Sequence, residues 1–276
     1  EENLEKVLVE KYGEAFADYR QRYFHSLNSE RHGEWPDFAH TLTLEFVNRC
    51  NLNCNMCYVA NHSFEKSSLD LDAIRRLIDE ISDKGKTGLL LGVGSEGLLF
   101  KGVRETIRYA KDAGIMDVIL MTNGTLLTRE LSEFLVEQEV SRVCIPVDAA
   151  TPETYEKVRG RNQLSQVEHN IKTLIETRAA LGKLLPIVRL SFCVLDSNKS
   201  EQIAFREKWR DEVDYIDFQK VNDFSHVGKE EEVDLPTAGG NSGQKLFCSK
   251  PFGYLNVWSN GDISPCCTFY GKSLKF

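Results

Sequence analysis

The chain has 276 residues, 41% of them hydrophobic and 28% charged, with eight cysteines and a formal charge of −8. That length buries a substantial core and suits one large domain with a small appendage. The acidic balance argues against a nucleic-acid backbone as main partner, and no apolar run approaches the roughly 20 residues of a membrane span. With no secretory signal visible, the expectation is a cytoplasmic protein without a disulfide framework.

Residues 1–40 read as a polar helical lead-in, Glu5 to Tyr23, followed by a loop through Gly33 and Pro36. Thr41–Asn48 reads as a strand, and a loop with Cys50, Cys54 and Cys57 follows it. Leu71, Ile74, Leu77, Ile78 and Ile81 recur at helical spacing within 70–84, with Gly85 as the stop. Thr87–Val93 predicts a strand, and Val103, Ile107 and Ala110 mark a helix closed by Gly114. Asp117–Thr122 is the next strand, and Thr128 caps a helix to Glu137. Arg142–Val147 is a strand, after which Thr151-Pro152-Glu153 opens a helix as N-cap, N1 proline and first-turn acid. A longer helix from about Ser165 to Leu181, a strand Ile187–Leu195, a helix Ser200–Arg210 and a strand Tyr215–Val221 complete six β/α units. Their near-continuous apolar strands predict a parallel α/β barrel or open sheet over 41–225. Residues 226–276 predict an acidic, Gly-rich linker and a Cys-bearing β-hairpin turning at Asn260-Gly261.

Three cysteines within eight residues suit a metal better than a disulfide. They lie just after the first strand, at the carboxyl end where α/β folds carry their chemistry. A [4Fe–4S] cube held by three thiolates keeps one iron open, as a catalytic centre requires. The competing reading is a zinc site completed by His62 or water, within a binding module that performs no turnover.

The spacing CxxxCxxC on this loop, ahead of an α/β series, resembles the radical S-adenosylmethionine (radical SAM) enzymes. The resemblance extends over roughly residues 41–270 and implies a partial (β/α)6 barrel. It implies a [4Fe–4S] cluster on Cys50, Cys54 and Cys57 that binds S-adenosylmethionine through the open iron. Reductive cleavage would then yield a 5′-deoxyadenosyl radical that abstracts hydrogen from an unactivated C–H bond. An external electron donor such as a flavodoxin or ferredoxin is implied as partner.

Further positions carry the likeness. Gly94-Ser95-Glu96-Gly97 stands where the family has Gly-Gly-Glu-Pro, so Gly94, Ser95 and Glu96 would hold the methionine amine; the Ser and the second Gly depart from the pattern. Asn123, in Thr122-Asn123-Gly124, would shape the cofactor pocket, and Arg159 would meet the cofactor carboxylate. Met56 and Tyr58 would lie near the adenine. The family commonly has a ribose-binding Ser two residues before Asp148, where this chain has Pro146. Cys144, Pro146 and Asp148 alternate on one strand face, and Arg189, Ser191, Cys193 and Leu195 on another, which predicts a lumen wall for cofactor or substrate. Cys193, Cys144 and Cys267 are candidate hydrogen donors, and Asp148 a candidate catalytic group.

Cys248, Gly261 and Cys266 have the spacing that opens the SPASM or twitch extension, which implies an auxiliary [4Fe–4S] cluster with Cys267 as a further ligand. A disulfide or zinc hairpin competes with it. Neighbouring strand residues face opposite ways, so Cys266 and Cys267 need not serve one cluster. The set falls short of four thiolates for a closed cluster, which implies a chain continuing further or a site left open. Such extensions accompany enzymes that crosslink, epimerise or oxidise peptides, and also dehydrogenases of aminocyclitols and carbohydrate-like molecules. The expectation is a peptide substrate, with the small molecule as alternative.

Overall fold

The computed structural model describes residues 2–28, 38–61, 65–83, 88–221 and 250–265. Two helices come first, α1 (Glu2–Tyr12) and α2 (Glu14–Ser26). The sequence predicted one lead-in helix here. Gly13 interrupts it at φ 64°, ψ −146°, a backbone region open essentially to glycine alone. Nor are the two helices a merely polar lead-in. Leu8, Phe16 and Tyr19 are buried with Leu185 and Ile187 in a second small core beneath the main sheet.

The repeating part follows the expected order: β1 (Thr41–Leu44), α3 (Tyr58–Asn61), α4 (Leu71–Asp83), β2 (Gly88–Leu91), α5 (Val103–Asp112) and β3 (Val118–Met121). Then come α6 (Arg129–Glu137), β4 (Arg142–Pro146), α7 (Pro152–Arg159), α8 (Leu164–Ala180), β5 (Ile187–Val194), α9 (Gln202–Trp209) and β6 (Tyr215–Lys220). The caps act as their residue types predict. Thr128 accepts a hydrogen bond from the Leu131 N–H, and Thr151 from the Thr154 N–H, with Pro152 opening α7.

Strands β1 to β6 pair in parallel in sequential order, with β1 in register from Thr41 opposite Gly88. Their outward residues meet the inward faces of the helices in one large core, in which Leu44, Phe46, Ile74, Ile107, Val143 and Leu190 are fully buried. This is the expected six-unit α/β layout, an open parallel sheet curved as a partial barrel.

The C-terminal segment supplies α10 (Lys250–Gly253), β7 (Tyr254–Val257) and β8 (Ile263–Ser264). The expected turn is there, with Gly261 at φ 89° and β7 antiparallel to β8. The hairpin does not stand apart. β7 pairs in parallel with β1, Thr41 opposite Tyr254, and so extends the barrel sheet beyond its first strand. The Tyr23 and Tyr254 hydroxyls, 2.5 Å apart, join α2 to this added strand. Cys248, Cys266 and Cys267 lie outside the described residues.

Candidate functional site

The cysteine loop is shaped by its asparagines and by the end of α7. Asn51 donates its amide to Thr125 Oγ1 at 2.8 Å and accepts from Asn123 Nδ2 at 2.8 Å. The Asn53 N–H donates to the Arg159 carbonyl at 3.1 Å, and the Asn55 N–H to the Val158 carbonyl at 3.0 Å. The loop therefore satisfies carbonyls that a helix C-terminus leaves open. Gly160 makes this possible. It sits at φ 76°, and a Cβ there would stand 2.4 Å from the Asn53 carbonyl oxygen.

Above the carboxyl ends of the strands lies a cavity of about 320 Å3. Cys50, Cys54 and Cys57 line it together with Met56 and Tyr58. Gly92, Gly94, Ser95 and Glu96 form another wall, and Asn123, Pro146, Asp148, Arg159, Ser191, Cys193 and Gln219 are also part of the lining. Backbone N–H of Leu52 and Nδ2 of Asn123 point at Cys50 Sγ, at 3.4 and 3.7 Å. Arg159 Nη1 donates to Cys54 Sγ at 3.5 Å. Burial pushes the Cys50 and Cys57 thiols above their ordinary range.

The glycine turn after β2 is a close-packed joint. Gly92 and Gly94 both have positive φ, and a Cβ on Gly94 would meet the Tyr58 hydroxyl at 2.7 Å and Glu45 Oε1 at 2.8 Å. Glu96 has no exposed surface. It accepts hydrogen bonds from the Leu98 N–H, Thr122 Oγ1 and the Asn123 N–H, at 3.0, 2.8 and 2.7 Å. Burial nonetheless raises its carboxyl above the usual range. It ties the turns after β2 and β3 into one wall. Ser95 donates its hydroxyl to the Val47 carbonyl and fixes the turn to the end of the β1 segment.

The opposite wall rests on Asp148. Its φ of 64° is unusual for a residue with a Cβ. The conformation is held by Oδ1 accepting the Cys193 N–H at 2.6 Å and by the Asp148 carbonyl accepting from Asn198 Nδ2 at 2.9 Å. Asp148 Oδ2 is paired with Arg159 Nη2 at 2.7 Å. Arg159 is 6% exposed, and its Nε has no partner among the described residues.

Three expected site residues fall elsewhere. Arg189 and Cys144 line a second cavity of about 190 Å3 at the opposite end of the lumen, with Arg142, Asp117, Tyr19 and Tyr23. Arg189 and Cys193 do share a strand face, but four residue steps along β5 separate them by about 13 Å. Arg189 is paired with Asp217 there. Cys144 sits one inward position below Pro146, level with Arg189. Leu195 lies past the end of β5, its N–H bound by Asn198 Oδ1 at 2.7 Å, and does not line the upper cavity.

The sequence reading missed Gln219, whose lumen position follows only from the alternation Tyr215, Asp217, Gln219 along β6, and Glu45. Glu45 is 1% exposed. Its Oε2 accepts from the Ser259 N–H and hydroxyl at 3.1 and 2.7 Å, while Oε1 has no partner among the described residues. A lone acid in the predicted strand Thr41–Asn48 was the available signal.

The donor set suits an iron–sulfur cluster. None of the five described cysteines is in a disulfide, and three of them line one cavity, with N–H donors directed at the Cys50 and Cys54 sulfurs. Among the described residues no three His, Cys, Asp or Glu side chains converge as around a single ion. The comparison with known proteins agrees. Residues 44–179 match the Radical SAM superfamily. The chain carries a radical SAM domain.

That domain is 41% identical over 117 residues to the AdoMet-dependent heme synthase of Methanosarcina barkeri, a match spanning 42% of this chain and 33% of the relative. It is 30% identical over 177 residues to the probable GTP 3′,8-cyclase of Methanocaldococcus jannaschii, spanning 62% of this chain and 55% of the relative. The chain thus spans between a third and just over half of these curated relatives. In fold it is similar to Streptococcus suis SuiB bound to the precursor peptide SuiA. There the TM-score is 0.65 at 15% identity, over 94% of this chain and 66% of SuiB. The radical SAM barrel is the architecture seen here, and no helix of the described residues is long and apolar enough to cross a membrane.

Proposed function

We propose that this chain generates a 5′-deoxyadenosyl radical and modifies a peptide. The observation that carries the reading is one cavity in which three thiols face a glycine turn, closed by a buried arginine. A [4Fe–4S] cluster with S-adenosylmethionine bound supplies the radical that takes hydrogen from an unactivated C–H bond. Cys50, Cys54 and Cys57 hold the cluster. Gly94 and Ser95 offer carbonyls to the cofactor amine, and the Glu96 carboxylate organises that turn. Arg159 keeps Nε for the cofactor carboxylate. Met56 and Tyr58 flank the adenine side, and Asn123 supports the Cys50 sulfur. The lining is mainly apolar, which excludes water that would quench a reactive intermediate.

The peptide is supported by the SuiB complex with SuiA, whose fold this chain resembles over most of its length. Cys248, Cys266 and Cys267 would supply an auxiliary cluster in a region 226–276, and a flavodoxin or ferredoxin the electron. A small-molecule substrate is the second reading, favoured by the 41% identity to a heme synthase. If the product is an epimer, Cys193 returns the hydrogen; its position in the lining of the upper cavity, which Cys144 does not share, supports that role.

Anaerobic reconstitution tests the first step. The expected result is a brown protein that forms 5′-deoxyadenosine with dithionite and S-adenosylmethionine, and a Cys54→Ala variant that forms none. A colourless zinc protein overturns the reading. Substrate class is tested by supplying candidate precursor peptides, or iron porphyrin precursors, and following deuterium transfer into 5′-deoxyadenosine.

A further inference from the structure

We propose that Asp148 and Arg159 are a positioning pair that sets the reduction potential of the cluster through Cys54, with opposite contributions from the two charges. The inference rests on the three-cysteine cluster reading above. Arg159 ends α7 and places Nη1 at 3.5 Å from Cys54 Sγ and Nη2 at 2.7 Å from Asp148 Oδ2. The backbone repeats the connection, because the N–H groups of Asn53 and Asn55, on either side of Cys54, are bound to the carbonyls of Arg159 and Val158. Cys54 is therefore held to the end of α7 by its own sulfur and by both its neighbours.

The charge is the distinguishing feature. Cys50 receives only neutral donors in the described structure, from Leu52 and Asn123, whereas Cys54 receives a guanidinium. The Asp148–Arg159 pair is buried, with side chains 1% and 7% exposed. Burying two charges is costly, and Asp148 also takes a left-handed backbone conformation. An apolar pair would close the wall at lower cost. A fixed positive charge beside a ligating sulfur stabilises the more negative, reduced cluster, and hydrogen bonds to cluster sulfurs act the same way. The Asp148 carboxylate, on the far side of the guanidinium, offsets part of that field.

The two charges give the test its signs. Wild type, Arg159→Gln, Arg159→Lys and Asp148→Asn are reconstituted, brought to equal iron and sulfide content, and titrated with dithionite mediators. EPR of the reduced cluster is read without S-adenosylmethionine, so that a role of Arg159 toward the cofactor carboxylate does not enter. Arg159→Gln is expected to lower the ratio of reduced to oxidised cluster at fixed potential at least tenfold, which is 59 mV for one electron. Asp148→Asn is expected to raise the ratio, and Arg159→Lys to fall nearer wild type than Arg159→Gln. Loss of packing alone would move both charge-removing variants the same way. A common direction, or no movement in either, overturns the proposal. If Arg159→Gln takes up no cluster, the Asp148→Asn titration decides alone, and an unchanged or lowered ratio refutes it. A wild-type chain that assembles no [4Fe–4S] cluster refutes the functional reading instead.

Discussion

Glu45 sits where the barrel meets the added hairpin, and its carboxyl gives the fold a pH dependence that one substitution removes. Burial pushes it from an ordinary 4.5 up to about 7, only partly opposed by the two hydrogen bonds from Ser259. Its second oxygen has no partner among the described residues. A carboxyl whose pKa is raised by folding favours the native state while it is protonated. That stabilisation is complete below about pH 4.5 and is lost as pH rises through about 7. The interval corresponds to about 3 kcal/mol at 1.36 kcal/mol per pH unit. In Glu45→Gln the side-chain carbonyl keeps both Ser259 bonds and nothing titrates. Urea unfolding of both proteins at pH 5, 6, 7 and 8, under reducing conditions and without cluster, reads the difference. Relative to wild type, the variant is expected to gain about 2.5 kcal/mol between pH 5 and pH 8, with most of the change below pH 7. A difference that is the same at pH 5 and pH 8 refutes the argument, because it would mean that Glu45 reaches solvent or a cation in the native state.

The remaining predictions concern the loop, the floor and a thiol. Gly160→Ala should lower iron uptake, since φ 76° is strained for alanine and its Cβ would displace the Asn53 carbonyl. Gly182→Ala, at φ 62° with open space around it, should cost only the left-handed backbone, about 1–2 kcal/mol, and leave iron uptake unchanged. Phe16→Ala should destabilise the chain by about 3–5 kcal/mol in urea, because Phe16 is fully buried in the core that α1 and α2 form against β5. The Cys193 thiol is pushed up to about 11 by burial and then by Asp148. Its alkylation by iodoacetamide in the cluster-free protein should therefore rise about tenfold per pH unit between pH 8 and 10. A rate that levels off near pH 8.5 would refute it.

What the sequence disclosed and what it withheld divide along a physical line. Local chemistry was legible: Thr128 and Thr151 as caps, Pro152 at the first position of α7, Asn260-Gly261 as a hairpin turn, and six apolar strands separated by helices. Each is decided by residues within a turn of one another. The break at Gly13 was missed because glycine inside a helical stretch is tolerated more often than not. The docking of β7 beside β1 joins segments more than two hundred residues apart and leaves no local trace, since a parallel pair needs no turn between its strands.

Depth along the barrel was the other hidden coordinate. Alternation told which residues of β5 face the lumen, but not at which level, so Arg189 and Cys193 read as one wall although they serve different cavities. The level is set by the register β4 imposes, Cys144 opposite Arg189 and Pro146 opposite Ser191. It is set again by what closes each end, the cysteine loop above and Tyr19, Arg20 and Tyr23 of α2 below. The lower end holds three arginines against acids: Arg20 with Glu5, Arg142 with Glu5 and Asp117, and Arg189 with Asp217. Such a compensated network closes the floor without an excess charge. At the upper end Arg159, paired with Asp148, reaches the Cys54 sulfur. The barrel thus separates a balanced ionic floor from the level where a buried guanidinium meets a sulfur of the cysteine loop.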